Sequence, residues 1–281
     1  MLVTEVKGMK IAARSSGDPS KPAVILLHGW PQSSLAFEHV LPELGIDQFV
    51  LAFDLPGIGD SEGTPLSSEK TDMAAVLLDA AAQLGARDTI IAGYDVGGMV
   101  AYAAARDHAR RISGAMVMNT VLPGIAPWDA VLADPRIFHF ALHAIPALPE
   151  TLVAGRQRAY FEFFYNAMAG DASAITHEAR EAYARAYERP EALTAGFDWY
   201  RAMTKDASHN ARSKRIEVPM LYVRGDADGK TPDDYLPAIR EKGASNISGK
   251  VIPGGEYVAE EAPAQLIAAV REFRQTCAVG R

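Results

Sequence analysis

Thr89-Ile90-Ile91-Ala92-Gly93-Tyr94-Asp95-Val96-Gly97-Gly98 runs from an apolar strand-like segment into Gly-x-Asp-x-Gly-Gly, with small residues at helical spacing after it. A strand that turns sharply into a helix needs glycines around the turn, and the residue at the apex presents its side chain from a strained backbone. Serine is the usual occupant of such an elbow, and here Asp95 stands there. Asp and Gly are also ordinary turn residues, so the pattern gains weight only from its neighbours.

Two further turns follow apolar runs at matching positions. His28-Gly29-Trp30-Pro31 follows Ala23 to Leu27, and Asp54-Leu55-Pro56-Gly57-Ile58-Gly59-Asp60-Ser61 follows Phe49 to Phe53. These runs, with Gly114 to Met118, are continuous rather than alternating, as strands buried on both faces of a parallel sheet are. Helical spacing lies between them, from Asp72 to Leu84 and from Met99 to Arg110, which gives successive strand-helix-strand units. Val3 to Val6 and Met9 to Ala13 flank Lys7-Gly8 and predict a hairpin at the sheet edge.

After Asn119 the rhythm breaks. Gly124 to Asn210 offers no good strand and holds 13 of the 23 Phe, Trp and Tyr residues, enough rings for a second core or for a lid over an apolar pocket. Strand and helix signals resume with Met220 to Val223, Asp233 to Lys242, a strand around Lys250 to Ile252 and a closing helix from Ala264 to Arg274. The expected architecture is α/β. A core of residues 1–123 and 213–281 surrounds an eight-stranded, mostly parallel sheet, with a helical cap of residues 124–212 inserted after the sixth strand.

Composition narrows the partners. With 281 residues, 48% of them hydrophobic, the chain can build a substantial core, which excludes disorder and coiled coil. No apolar stretch nears the ~20 residues of a membrane span, and Met1 to Ser20 lacks the pattern of a signal peptide, so a cytoplasmic protein is expected. A formal charge of -7 without a basic cluster speaks against nucleic acid, and Cys277 alone permits no intrachain disulfide. The expected ligand is small and neutral, bound by a monomer or homodimer. No metal or organic cofactor is implied, because no His and carboxylate cluster has ligand spacing and Gly57-Ile58-Gly59 lacks the full dinucleotide pattern.

The three turns, in this order, resemble the α/β-hydrolase fold. The Asp nucleophile with the His-Gly-x-Pro turn is similar to its epoxide hydrolase and dehalogenase branch. The resemblance implies that Asp95 attacks an electrophilic carbon to form an ester, and that the backbone N–H groups of Trp30 and Val96 form the oxyanion hole when that ester is hydrolysed. His28 would support the turn. Haloalkane dehalogenases carry Trp after the nucleophile, and haloacetate dehalogenases carry Arg one and four residues after it, whereas this chain has Val96 and Met99. Epoxide hydrolases need two acidic donors in the lid. Phe197-Asp198-Trp199-Tyr200-Arg201 is similar to the family's lid motif and Phe138-His139-Phe140 to a second position, which makes Tyr200 and His139 the expected donors. His28, Pro31, Phe138, Trp199, Asn119 and Tyr257 are the expected pocket lining.

In this family the water-activating base sits in a Gly-Gly-His-aromatic turn. Here the passage reads Pro253-Gly254-Gly255-Glu256-Tyr257, and the 72 residues after His209 contain no histidine. Asp228, after Gly225-Asp226-Ala227, matches the usual place of the acid that orients the base, and Asn119 occupies the alternative place. Were Asp95, Asp228 and Glu256 to converge, at least one pKa would rise, most readily that of Glu256. Three readings follow. Glu256 replaces His as the base in an epoxide hydrolase acting on a bulky apolar or aromatic substrate; or Asp95 and Glu256 serve a cofactor-free isomerisation, cyclisation, oxygenation or carbon–carbon bond step in natural-product biosynthesis; or the fold is kept as an inactive binding protein.

Overall fold

The computed structural model describes residues 1–279. Eight strands form one sheet in the order β1 (Leu2–Val6), β2 (Met9–Ser16), β4 (Phe49–Phe53), β3 (Ala23–Leu27), β5 (Ile90–Tyr94), β6 (Gly114–Met118), β7 (Met220–Gly225) and β8 (Ile247–Ile252). β1 and β2 form the expected hairpin at one edge, β2 pairs antiparallel with β4, and all the remaining pairs are parallel. This is the α/β-hydrolase architecture. Every residue of β3, β4, β5 and β6 is buried, which is why those segments read as unbroken apolar runs. β8 lies at the other edge, with exposed residues along its middle.

The β5 turn is as sharp as its glycines suggest. Asp95 sits at φ 49° and ψ −126°, a strained backbone for a residue with a Cβ, and the helix Val96–Asp107 starts directly after it. A Cβ on Gly93 would lie 2.3 Å from the carbonyl oxygen of Gly97, so the strand and helix can meet this closely only with glycine there. That helix begins three residues before the expected Met99, because packing of the elbow outweighs the low helix propensity of Gly97 and Gly98. Asp233 to Lys242 divides into a 3₁₀ turn, Pro232–Asp234, and a helix, Leu236–Glu241, since Pro237 fits only a helix's first turn. The closing helix runs over Pro263–Val279.

Between β6 and β7 the chain builds helices only, among them Phe138–Ala144, Gln157–Met168, His177–Ala186, Pro190–Arg201 and Met203–Asn210. Phe138–Ala144 packs on Pro190–Arg201, and Gln157–Met168 on His177–Ala186. The carboxyl ends of β3, β5, β6 and β7 lead into the His28 turn, Asp95, Asn119 and Gly225, so one rim of the sheet carries these residues beneath the helical insert. No helix among the described residues is long and apolar enough to cross a membrane.

Candidate active site

Asp95 is pinned by the turn after β3. The Trp30 N–H donates to Asp95 Oδ2 at 2.7 Å, and the Val96 N–H donates to the same carboxylate. A Cβ on Gly29 would lie 2.6 Å from that of Asp95, so glycine lets the two turns touch. Burial pushes the Asp95 carboxyl up to about 6, against the pull of both N–H groups and of the Lys70 ammonium. The carboxylate still predominates at neutral pH. His28 is fully buried, with Nδ1 2.9 Å from the Gly29 carbonyl and Nε2 accepting from Leu55 N–H at 3.0 Å. Both its ring nitrogens hold the turn.

Glu256 is held by its backbone. Its N–H donates to the Met168 carbonyl at 3.0 Å, and Asn119 Nδ2 donates to the carbonyls of Gly255 at 2.8 Å and Glu256 at 3.2 Å. Asn119 Oδ1 accepts from Gly225 N–H at 2.8 Å, so this side chain joins the ends of β6 and β7 to the turn that carries Glu256. Glu261 gathers four backbone donors: Gly170 N–H at 2.7 Å, Asp171 and Gly255 N–H at 2.9 Å, and Tyr257 N–H at 3.0 Å. Burial raises the Glu256 carboxyl well above its ordinary value, and the negative charge of Asp95 adds to the rise. The expected convergence of three carboxylates is corrected on one point. Asp228 is half exposed and forms an ion pair with Arg224, four residues earlier, while its Oδ1 accepts from Lys230 N–H. Its charge adds to the rise at Glu256, while its own carboxylate is taken by Arg224 and Lys230. The side chains that grip this turn are those of Asn119 and Glu261.

The two expected donors do come together. The rings of His139 and Tyr200 are 5.7 Å apart, and both stand about 6 Å from Trp30. Burial raises the Tyr200 hydroxyl well above its ordinary value, with the charge of Asp95 contributing, so the phenol keeps its proton. Burial lowers His139 to about 3, which corrects its role. In this cluster of packed rings it is a neutral imidazole that can donate a hydrogen bond, not an imidazolium acid. His143, one helical turn on, packs into the same cluster: its ring lies 4.6 Å from those of Trp30 and Tyr200, and its Nε2 is 2.9 Å from the Tyr160 hydroxyl.

A cavity of ≈ 570 Å³ opens between insert and core, with Phe138, Phe163 and Phe164 on one side and Arg224, Asn119 and Glu256 on the other. Of the expected lining residues, Asn119 and Phe138 border it. Trp199 is instead fully buried, its ring 6.2 Å from that of His28. Pro31 is buried with its carbonyl accepting from the Tyr165 hydroxyl at 2.9 Å, and Tyr257 is buried against the Tyr165 ring. His209 cannot supply the missing base. Its Nε2 lies 2.9 Å from Asp107 Oδ2, at the far end of the helix that begins at the elbow.

Three residues here carry no mark in the sequence reading. Gln32 accepts from the Tyr94 hydroxyl and donates to Glu260, which also accepts from the Tyr183 hydroxyl at 2.8 Å. Lys70 lies buried beneath the insert. A histidine four residues after His139, on the same helix face, was the available sign of His143. Among the described residues no group of three or more His, Cys, Asp or Glu could hold a metal ion.

Residues 22–263 match the family model of the alpha/beta hydrolase fold. The chain is 26% identical over 274 residues to the soluble epoxide hydrolase of Corynebacterium sp. (strain C12), covering 94% of this chain and 93% of that protein. It is 24% identical over 268 residues to a fluoroacetate dehalogenase of Burkholderia sp., covering 90% and 87%. Among solved structures, Cfl2 from Burkholderia cenocepacia superposes with a TM-score of 0.85 at 27% identity, covering 96% of this chain and 94% of that one.

Proposed function

This chain belongs to the α/β-hydrolase fold family as an epoxide hydrolase-like enzyme, and from that membership we propose that it opens an epoxide on a bulky apolar or aromatic substrate through an ester at Asp95. The observation that carries the proposal is the hydrogen bond from Trp30 N–H to Asp95 Oδ2. A carboxylate oxygen held by a backbone N–H supports a reading in which that oxygen becomes the oxyanion and the other, Oδ1, attacks. Oδ1 forms a bond to an epoxide carbon, the ring C–O bond breaks, and the ring oxygen takes the proton of Tyr200 while His139 donates a hydrogen bond. Water then attacks the ester carbon after giving a proton to the ionised Glu256. Negative charge gathers on Oδ2 beneath the N–H groups of Trp30 and Val96; collapse expels the second diol oxygen as an alkoxide that takes the proton from Glu256, and the hydroxyl proton left on Asp95 returns to Tyr200.

The raised pKa of Glu256 sets the rhythm of this cycle. A carboxyl raised in this way is ionised less often at a given pH than an ordinary glutamate, which slows ester hydrolysis relative to ester formation. Intact-protein mass spectrometry after mixing with apolar aryl epoxides at pH 7 tests this. The expected adduct has the full mass of the epoxide and maps to the peptide with Asp95. Neither adduct nor diol from any epoxide, with tight binding of an aromatic ligand, would overturn the reading.

One observation favours a second reading. Burial raises the Asp95 carboxyl to about 6 and pushes the Glu256 carboxyl well above its ordinary value, with the charge of Asp95 adding to the push, and two buried carboxyls that act on each other can serve as base and acid. A proton shuttle between two carbons of a natural-product scaffold would use that pair without water. Deuterium uptake at the α-carbon of an aryl ketone, followed by NMR in D₂O, distinguishes this reading: exchange that Asp95→Asn abolishes favours it, and no exchange removes it.

A further inference from the structure

Lys70 begins the helix Lys70–Gln83 and is only 3% exposed. Its Nζ donates to Asp206 Oδ2 at 2.8 Å and to the Trp199 carbonyl at 2.6 Å, and its backbone N–H donates to Asp206 Oδ1 at 2.9 Å. One core residue thus holds both oxygens of a carboxylate in the helix Met203–Asn210 and a carbonyl near the end of Pro190–Arg201. The pair is sealed from water, with side-chain exposures of 3% and 6%. Two charges are costly to bury, and apolar residues of similar volume often serve packing as well or better. Packing therefore does not explain why an ion pair is here.

Its position does. The carbonyl that Lys70 grips belongs to the residue before Tyr200, so the grip fixes the backbone that aims the phenol. The Lys70 charge also acts on Asp95, and Asp95 acts back on Lys70. We propose that Lys70 is a positioning residue for the reaction, pinning the last turn of the Pro190–Arg201 helix that carries Tyr200 and supplying a buried positive charge that acts on Asp95. The proposal rests on the reading of Asp95 as the nucleophile. It links the core to the insert at the point where both contribute to chemistry.

The other groups that act on Asp95, or that it acts on, are the N–H groups of Trp30 and Val96, the Glu256 carboxyl, and the hydroxyls of Tyr94, Tyr187, Tyr200 and Tyr257. None of those groups brings a positive charge. Removing Lys70 therefore leaves burial opposed by the two N–H groups, and Asp95 gains its proton at a higher pH.

The test compares wild type, Lys70→Arg and the double variant Lys70→Met/Asp206→Leu, which removes both charges and leaves no lone buried carboxylate. The Asp95 carboxyl is titrated by carbon-13 NMR without substrate, and its alkylation by an aryl epoxide is timed by mass spectrometry. The double variant is expected to titrate at higher pH than wild type and to alkylate more slowly below pH 6, by about tenfold for each whole pH step of the shift. Lys70→Arg, which keeps the charge, should retain the wild-type midpoint and gives the comparison if the double variant does not fold. A midpoint raised with Arg, although the charge is kept, and a wild-type profile in the double variant would each overturn the proposal, leaving Lys70 a structural staple. If wild-type enzyme alkylates with no epoxide, the nucleophile reading fails, and the NMR titration still decides whether Lys70 tunes Asp95.

Discussion

Lowering the pH from 7 to 5 should slow alkylation of Asp95 by about tenfold. With its carboxyl raised to about 6, about nine-tenths of the molecules carry the carboxylate at pH 7 and about one-tenth at pH 5, and only the carboxylate attacks. An unperturbed aspartate would lose less than a tenth of its charge over the same interval. His139, lowered to about 3, stays neutral throughout and adds no second limb. Glu256, raised by burial and by the charge of Asp95, is ionised least at the acid end, so lowering the pH does not hasten loss of the ester. Rapid quenching into acid at a series of times, followed by intact-mass measurement with a styrene-oxide-type epoxide, gives the rate at each pH. A flat rate between pH 5 and 7 would refute the buried, raised nucleophile. A rate that falls as pH rises through 6 to 7 would refute the neutral His139.

Glu256→His should restore a base that works at neutral pH and raise diol release by about a hundredfold, within the usual range for a positioned general base, as measured by steady-state turnover; no gain would mean the pocket does not admit water there. Tyr200→Phe should lower kcat for epoxide opening by at least about tenfold while an inert aromatic ligand binds as before, read by kinetics and by fluorescence titration. Glu261→Ala strands four backbone donors and should lower stability by about 3 kcal/mol in urea unfolding. Glu260 is raised by burial to about 7, so the folded state binds its proton more tightly than the unfolded state does. That contribution is fully present below about pH 4.5 and is lost as pH rises through 7. Glu260→Gln should therefore flatten the decline in stability from pH 5 to 8, a difference of about 3 kcal/mol in pH-dependent denaturation curves.

The sequence pattern and the structure agree best where backbone geometry dictates residue type. Gly93, Gly97 and Asp95 occupy a turn that tolerates few alternatives, and the fully buried strands could only be apolar, so the elbow and the mostly parallel sheet were legible. Residues whose role depends on contacts far apart in the chain were not. Asp228 sits at the spacing of a triad acid, yet Arg224 lies four residues away and claims it, a competition that spacing cannot reveal. Lys70 and Asp206 are 136 positions apart, and each alone reads as a surface charge. His139 was found by its neighbours, but its charge state is set by the rings that enclose it, which come from both the insert and the Trp30 turn.

A single turnover in H₂¹⁸O, with enzyme in excess over an aryl epoxide at a pH high enough to ionise Glu256, tests the Asp95 ester most directly. The ester mechanism puts an oxygen of Asp95 into the first diol and leaves the ¹⁸O in the protein, so the diol should be unlabelled and the peptide containing Asp95 heavier by one label. A labelled diol with an unlabelled Asp95 would show that water attacks the epoxide itself, and the nucleophile assigned here would be wrong.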